Sequence, residues 1–339
     1  LLCDARNEQV VQTLRQRKGR PHKPLAVMFP PRGEDQLDGV REAAHVSALE
    51  GQTLLSSQRP IVLLPKRDND VLAESIAPGA QQIGALLPYS PLHQLLCNDF
   101  AAPLVATSAN LSGEPVLTDA EQVHTRLAHV ADAFVDHNRP IVRPCDDSVV
   151  HQVDHHMQPL RLGRGLSPVE MALPLTLKSP VLAVGGHMKN AIALAWQDRL
   201  VISPHIGDLD SPLAMQTFEQ HIEDLQQLYR VNAEHLIADA HPGYSSRRWA
   251  EHQSLPLTTV LHHHAHASQL ALEYPGDTPW LVFTWDGVGM GENNQLWGGE
   301  AFYGQPGQWQ RVASFKPFHL PGADKAGREP WRSAAALCW

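Results

Sequence analysis

The sequence predicts two consecutive domains of mixed α/β architecture in a chain of 339 residues. Hydrophobic patterns with the helical period and with the strand period alternate along the whole chain, which is typical of sheets covered by helices. A segment rich in Gly, Ser and Pro, with little periodicity, lies near residue 175 and indicates a linker. Beyond it, a pattern of strand, glycine-rich turn, strand and strand occurs twice. We therefore place the first domain at residues 1–174 and the second at residues 175–339.

The composition restricts the class of protein. An apolar fraction of 43% and a charged fraction of 19% are ordinary for a globular protein. The net charge of -9 argues against a broad surface for nucleic acid, and no apolar segment approaches the ~20 residues that span a bilayer. The four cysteines are far apart and form no Cys-x-x-Cys pair. We therefore expect reduced thiols in a cytoplasmic protein without membrane contact.

The first domain is predicted to contain a mixed, twisted sheet with helices packed against it. Runs of β-branched and apolar residues predict the strands, and Thr118 with Asp119 is typical of a helix start. The predicted helices are 7–18, 33–50 and 118–130, and the predicted strands are 25–28, 61–64, 103–107, 141–142 and 148–150.

A basic segment follows the first predicted helix, with five Lys or Arg among the nine residues 15–23. Because the helix should end at Gly19, Arg20 and Lys23 would project from a loop stiffened by proline. Such a loop suits a polyphosphate or another multivalent anion. The alternative is a solvated helix end whose positive charges complement the helix dipole.

A second polar segment, residues 107–113, follows a predicted strand and contains Ser108, Asn110 and Gly113. Hydroxyls, an amide and closely approaching backbone suit a nucleotide or phosphate. Composition alone favours the alternative, which is an ordinary turn capped by its Asn and Ser side chains.

Together, the segments Lys-Gly-Arg-Pro-x-Lys-Pro (18–24) and Thr-Ser-Ala-Asn-Leu-Ser-Gly (107–113) resemble the YrdC family, since they occur in the expected order and separation. Members of that family bind ATP and form an acyl-adenylate of a carbamoyl group. The segment Asp-Asp-Ser-Val (146–149) replaces the Ser-Thr-Val or Ser-Thr-Ile of the tRNA-modifying relatives and indicates a specialised branch. The resemblance implies catalytic roles for Lys18, Arg20 and Arg143, and nucleotide or carbamoyl binding by Lys23, Ser108, Asn110 and Ser148.

The second domain contains the predicted duplication. Its first copy has strands at 181–184, 190–196 and 199–203 around a turn at 185–189, and its second copy has strands at 280–285, 298–303 and 310–315 around a turn at 286–291. Between the copies we predict helices at 211–229, 244–252 and from 264, and strands at 235–239 and 256–261.

Two such copies predict the duplicated, actin-like (ASKHA-type) ATPase architecture, in which the backbone N–H groups of each glycine turn contact nucleotide phosphates from opposite sides of a cleft. The alternative is that these glycines only satisfy hairpin geometry and that Lys189 is simply exposed. The predicted phosphate contacts are Gly185, Gly186, Lys189, Asn190, Gly287, Gly289 and Gly291.

A pentapeptide with four histidines, residues 262–266, follows the strand predicted at 256–261. His262 and His266 are four residues apart and would share one helical face. Asp286, at the end of another predicted strand, would complete a set of two histidines and one carboxylate suited to Zn²⁺ or Fe²⁺. The alternatives are a solvated turn in a chain with twenty histidines and a turn-capping role for Asp286.

These features also resemble the HypF family, the carbamoyltransferases of NiFe-hydrogenase maturation. The resemblance rests on the segments 184–191, 203–209, 262–266 and 286–291 and on the order of the two domains. It implies that ATP with Mg²⁺ and carbamoyl phosphate yield a carbamoyl-adenylate. It further implies transfer of the carbamoyl group to a C-terminal cysteine thiolate of a partner maturation protein, with His262, His266 and Asp286 as metal ligands.

The resemblance also implies a longer protein. The chain begins without Met and stops in a predicted helix, so we expect a fragment. It would lack the first strand and helix of the YrdC-like domain, the acylphosphatase-like and zinc-finger domains, and a second metal-binding Asp beyond Trp339. Two alternatives remain at this stage: a fused tRNA threonylcarbamoyl-transferase, and a nucleotide-sensing or scaffold module without catalysis.

Overall fold

The computed structural model describes residues 1–111, 113–276, 278–322, 325–326 and 329–338, and these form two compact units. The first unit contains Leu1–Val169, Met188–Ala191 and Ile202–Ile222, and the second contains Glu170–His187, Ile192–Val201 and Glu223–Trp339. Since the two units alternate along the chain, the boundary between residues 174 and 175 stays a prediction about sequence domains.

A mixed seven-stranded sheet forms the centre of the first unit. Its strands β2 and β4 are parallel, as are β3 and β6, whereas the other neighbours are antiparallel. The sheet order is β1-β5-β2-β4-β3-β6-β7. The bounds are Leu2–Asp4 (β1), Ala26–Met28 (β2), Ile61–Pro65 (β3), Gln82–Leu86 (β4), Leu104–Ala106 (β5), Val149–Val153 (β6) and His156–Arg161 (β7).

In the described part of the chain, the helices that precede β6 pack against this sheet. They are Glu8–Lys18 (α1), Asp38–Ala43 (α2), Ala48–Leu55 (α3), Pro91–Phe100 (α4) and Ala120–Arg126 (α5). Helix α1 is confirmed with its predicted end, because Gly19 adopts φ 64° and donates to the carbonyls of the last turn.

Three predictions for this unit are wrong in whole or in part. The helix predicted over 118–130 covers only Ala120–Arg126, because Asp119 caps its start and it ends at Leu127. The single helix predicted over 33–50 is two helices, because Ser47 and Glu50 form a capping box that starts α3 anew. The strand predicted at 141–142 is not a strand: Ile141 is 49% exposed and Val142 is 76% exposed, so this apolar pair does not enter the core.

The second sheet has six strands, in the order β13-β12-β9-β10-β11-β8. Strand β12 is parallel to both β9 and β13, so the carboxyl ends of these strands lie at one edge of the sheet. The strand bounds are Val169–Ala172 (β8), Val181–Ala183 (β9), Ala193–Trp196 (β10), Arg199–Ile202 (β11), His235–Asp239 (β12) and Leu257–Val260 (β13). The helices are Pro212–Tyr229 (α6), Ser245–Glu251 (α7) and His262–Glu273 (α8). Helix α6 belongs to the first unit up to Ile222 and to the second unit from Glu223.

A third sheet contains Trp280–Met290 (β14), Leu296–Gly304 (β15) and Gln310–Ser314 (β16), and helix Trp331–Cys338 (α9) follows it. The turn predicted at 286–291 is wrong for most of its length, because β14 continues to Met290 with irregular pairing between Trp285 and Gly289. Helix α8 packs on this sheet through Ala267, Trp297 and Phe302. Among the described residues, no helix is long and apolar enough to cross a membrane.

Candidate active sites

An open, polar cavity of about 180 Å³ lies within the first unit. Of its three acidic side chains, Glu114 is already paired with Arg126 at 2.7 Å, so cations predominate. The charged lining residues are Lys18, Arg20, Lys23, Arg161, Lys189, Glu114, Asp146 and Asp208.

Lys18 joins helix α1 to the loop after β5. Its Nζ donates to the carbonyl oxygens of Ser108 (2.5 Å) and Asn110 (2.8 Å) and to Asn110 Oδ1 (2.9 Å). The Ser108 hydroxyl also donates to Asn110 Oδ1 at 2.6 Å. Burial, followed by the charge of Arg20, lowers the pKa of Lys18 to about 8. Lys18 therefore orders this polar loop and contributes charge to the cavity; Ser112, in the same predicted motif, lies outside the described residues.

Two residues predicted for this site do not reach the cavity lining. Arg143 is exposed, and Ser148 is fully buried. The Ser148 hydroxyl donates to the carbonyl of Arg164 (3.0 Å) and accepts from the N–H of Gly163 (2.9 Å), which is a structural role. Arg161, and not Arg143, is the arginine that lines the cavity on the C-terminal side of the Ser108–Asn110 loop in sequence. Arg161 could not be predicted from the sequence because β7 is mostly exposed and has no hydrophobic period.

Lys189 and Asn190 were predicted to bind nucleotide in the second domain, but the structure places both in the first unit. Lys189 lines the cationic cavity there. Asn190 is 1% exposed, and its backbone N–H donates to the carbonyl of Gly207 at 2.8 Å. Asn190 thus fixes the backbone beside Lys189.

His262, His266 and Asp286 form a cluster in the second unit. The two histidines lie in the first turns of α8, and Asp286 lies where the pairing of β14 with β15 is irregular. Helix α8 starts at His262, two residues earlier than predicted, so both histidines are helical. Their ring centroids are 4.9 Å apart, and one ligand atom from each of the three residues lies within 4.8 Å of the others. The sequence-predicted trio is therefore brought together.

Asp239, at the carboxyl end of β12, orients His262. The imidazole Nδ1 of His262 donates to Asp239 Oδ2 at 2.7 Å, while its Nε2 is 2.9 Å from Asp286 Oδ2. Hydrogen bonds to Asp239 and then Asp286 raise the pKa of His262 to about 9, and the bond to His262 lowers the pKa of Asp286 to about 2. A carboxylate behind a ligating imidazole is the usual arrangement at metal sites.

The other two histidines of the pentapeptide serve the fold. His263 is fully buried, and its Nε2 lies 3.2 Å from the carbonyl oxygen of Gly298. His264 packs edge-on against Phe302, with 5.0 Å between ring centroids. Burial lowers the pKa of both imidazoles, so both are neutral supports of helix α8.

The predicted glycines have different surroundings. The carbonyls of Gly185 and Gly186 both accept from the Ser246 hydroxyl at 3.1 Å, which fixes that loop. A Cβ on Gly289 would lie 2.8 Å from the Cβ of His262, and one on Gly291 would lie 2.2 Å from the ring of Trp297. Close packing therefore accounts for Gly289 and Gly291. Only open space would meet a Cβ on Gly186 or Gly287.

The sequence matches three family descriptions in order along the chain. They are Telomere recombination, of the Sua5, YciO and YrdC proteins (residues 1–163), the HypF Kae1-like domain (176–273), and the second subdomain of the Kae1-like carbamoyltransferase domain (282–339). Carbamoyltransferase HypF of a Synechocystis species is 43% identical over 340 residues, which cover 100% of this chain. The chain belongs to the HypF family. The predicted fold class, a mixed α/β chain with a YrdC-like domain followed by a second α/β domain, is thereby confirmed, and the family models describe the second domain as Kae1-like. The actin-like (ASKHA-type) duplication stays a prediction.

Other HypF proteins are similar to this chain over nearly its whole length. Carbamoyltransferase HypF of Rhizobium leguminosarum is 37% identical over 99% of this chain and 44% of its own length. A crystal structure of full-length HypF in the phosphate- and nucleotide-bound form has a TM-score of 0.93 at 36% identity, covering 99% of this chain and 44% of that chain. HypF of T. kodakarensis gives a TM-score of 0.91 at 34% identity, with the same coverage. The chain thus spans 44% of the HypF proteins it matches.

Proposed function

We propose that this chain provides the adenylate-forming and transfer parts of a carbamoyltransferase in hydrogenase maturation, with carbamoyl phosphate and ATP as substrates and Mg²⁺ bound to ATP. The observation that carries this proposal is the cationic cavity of the first unit in a chain of the HypF family. A HypF protein that resembles it over 99% of the chain was crystallised with phosphate and nucleotide, which supports the choice of ligands.

The first unit would perform adenylation. Water takes the phosphoryl group of carbamoyl phosphate, and a carboxylate oxygen of the resulting carbamate attacks the α-phosphorus of ATP. The bond from that phosphorus to the bridging oxygen breaks, which gives carbamoyl-adenylate and pyrophosphate. Negative charge develops on the phosphate oxygens in this step, and the cations Arg20, Lys23 and Arg161 would stabilise it. Lys18 and the loop it orders would position the carbamate.

The second unit would perform the transfer. A cysteine thiolate at the C-terminus of a partner protein attacks the carbamoyl carbon, and the bond from that carbon to the AMP oxygen breaks. The product is a thiocarbamate, the precursor of the cyanide ligand of the hydrogenase iron. Because the mixed anhydride reacts with water, the reaction gains from two active sites in one protein.

The cluster in the second unit fits a divalent metal. Two imidazole nitrogens and one carboxylate oxygen suit Zn²⁺ or Fe²⁺. Ligands of one ion at 2.0–2.2 Å lie within about 4.4 Å of each other, so the 4.8 Å span in this structure needs only a small side-chain movement. His262, His266 and Asp286 would be the ligands. A metal there supplies Lewis acidity for a carbonyl or phosphoryl oxygen when bound.

The test of the proposed function is the identity of the acceptor. The longest natural form of the protein is incubated with ATP, Mg²⁺ and ¹⁴C-carbamoyl phosphate, together with either a hydrogenase maturation protein that ends in cysteine or bulk tRNA. We expect label on the protein with the cysteine and none on its Cys→Ser variant. Label on tRNA would contradict the proposal and support the tRNA-modifying alternative. A protein that labels neither acceptor and consumes no ATP would support the scaffold alternative.

The pKa of Lys18 predicts a pH dependence. As the pH rises through about 8, Lys18 loses its charge and one of its three N–H donors, so carbamoyl-phosphate-dependent ATP–pyrophosphate exchange should fall. Stability should change in the opposite direction. The pKa in the folded chain lies below that of unfolded lysine, so the unfolded state binds more protons between these values and the free energy of unfolding rises with pH. An alkaline decrease of equal size in Lys18→Gln would contradict this assignment.

Gly289→Ala is expected to lower the affinity of the second unit for divalent metal about tenfold or more. The added methyl group would lie 2.8 Å from the Cβ of His262 and would displace the imidazole. Gly287→Ala is the matched control, since nothing lies within 4 Å of its Cβ position. Equal zinc affinities of the two variants in a competition titration would show that Gly289 does not determine the position of His262.

Asp239→Asn is expected to reduce metal affinity about 10- to 100-fold, although Asp239 itself is outside the ligand trio. The amide removes the charge that the Nδ1 N–H of His262 faces at 2.7 Å, so the imidazole is a weaker and less well oriented ligand. Glu251→Gln, a surface change on α7, is the control. Unchanged zinc affinity in Asp239→Asn would contradict the orienting role.

A further inference from the structure

Hydrogen bonds of the backbone at Lys189 and Asn190 fix the position of Lys189 beside the cationic cavity. Its N–H donates to Asp208 Oδ1 at 2.8 Å, and the next residue, Asn190, donates to the carbonyl of Gly207 and accepts from the N–H of Ile206, both at 2.8 Å. Lys189 adopts φ 50°, a left-handed conformation that is uncommon for a residue with a side chain. These contacts fix where the lysine side chain leaves the backbone.

The loop that holds Lys189 is itself attached to the strand that supplies Arg161. The N–H of His205 donates to the carbonyl of Leu162 at 2.7 Å, one residue beyond the end of β7. His205 lines the same cavity; burial and then the charge of Arg161 lower its pKa, so the imidazole is neutral. One continuous wall therefore runs from Arg161 through His205 to Lys189.

The ammonium of Lys189 is available to a ligand. Across the part of the chain that the structure describes, it forms no ion pair with a carboxylate; Asp208 accepts its backbone N–H instead. Lys18, by contrast, has three protein acceptors within 2.9 Å. Arg20 and Lys23 line the same cavity. A phosphate group in this cavity would receive charge-assisted hydrogen bonds from these cations.

We propose that Lys189 is a phosphate-binding residue of the first unit's cavity and contacts a phosphate group of carbamoyl phosphate or of ATP. This inference rests on the proposed adenylation chemistry and assigns Lys189 to that step. The segment between β9 and β10, which carries Lys189, would thus contribute a phosphate-binding side chain to the cavity of the first unit. Adenylation would consequently depend on a side chain from the region of the sequence that matches the Kae1-like family.

The test compares Lys189→Gln with Lys178→Gln, a matched change at an exposed lysine that is not in the cavity lining. In the longest natural form of the protein, KM for ATP and for carbamoyl phosphate are measured separately in ATP–pyrophosphate exchange, and the Kd of pyrophosphate is measured by calorimetry. We expect at least one of these constants to rise about tenfold or more in Lys189→Gln. The same constant should rise less in Lys189→Arg and should not change in Lys178→Gln.

The arms identify the source of the phosphate. A rise confined to KM for carbamoyl phosphate assigns the contact to that substrate, whereas a rise in KM for ATP and in the Kd of pyrophosphate assigns it to the nucleotide. All three constants within twofold of wild type would overturn the inference while the proposed function stands. If wild type shows no exchange but Lys189→Gln still weakens pyrophosphate binding, the proposed function fails and the phosphate contact remains. Lys189→Arg keeps the test decisive if the glutamine variant does not fold.

Discussion

Replacing His262 and His266 together by alanine is expected to remove divalent metal from the protein down to background. The two imidazoles supply two of the three donors that lie within 4.8 Å of one another, and one carboxylate with water does not retain a transition metal at ordinary concentrations. Metal content is measured by elemental analysis after dialysis against a weak chelator, and binding by calorimetry with Zn²⁺ and Fe²⁺.

The control is a variant with two alanines in place of the exposed His155, in the turn before β7, and the exposed His156, the first residue of β7. It removes the same number of histidines and should keep the metal content of wild type. Two results would contradict the assignment of the site. One is unchanged metal in the His262/His266 variant, and the other is an equal loss of metal in both double variants.

Replacing Arg161 by alanine is expected to reduce kcat/KM of carbamoyl-phosphate-dependent ATP–pyrophosphate exchange by about 10²–10³-fold, the usual effect of losing one group that stabilises developing charge. Arg161 ends β7 and lines the cationic cavity. The exchange assay isolates the adenylation step, so a defect in transfer to the acceptor does not affect the result.

Arg143→Ala is the matched control, because Arg143 is the arginine that the family resemblance suggested and it lies outside the cavity lining. We expect its kcat/KM to stay within about threefold of wild type. If Arg143→Ala lost activity and Arg161→Ala did not, the catalytic arginine would be Arg143, as the family resemblance implies, and not Arg161.

The cluster of His262, His266 and Asp286 could be predicted from the sequence because the spacing of its two histidines is local. An interval of four residues places His262 and His266 on one helical face. The strand before them, β13, ends at the edge where the carboxyl ends of the parallel strands β9, β12 and β13 lie. The same reasoning could have found Asp239, since it is the last residue of a strand predicted with its correct bounds. Its position at the carboxyl end of β12, beside β13, was the available signal.

The cavity of the first unit could be predicted only in part. The basic loop and the Ser108–Asn110 loop carry recognisable motifs, but Lys189 and Arg161 reach the cavity through tertiary contacts that have no sequence period. The glycines of β14 show the same limit, because the requirement at Gly289 arises from the approach of His262 on another element. Patterns along the chain do not report packing between residues that are distant in sequence.

The most direct test of the proposed chemistry is ATP–pyrophosphate exchange by the longest natural form of the protein, with ³²P-pyrophosphate and with or without carbamoyl phosphate. Formation of a carbamoyl-adenylate predicts that label enters ATP only when carbamoyl phosphate and Mg²⁺ are present, and that the rate falls in Arg161→Ala. Absence of exchange under these conditions, or exchange of equal rate without carbamoyl phosphate, would contradict the adenylate mechanism.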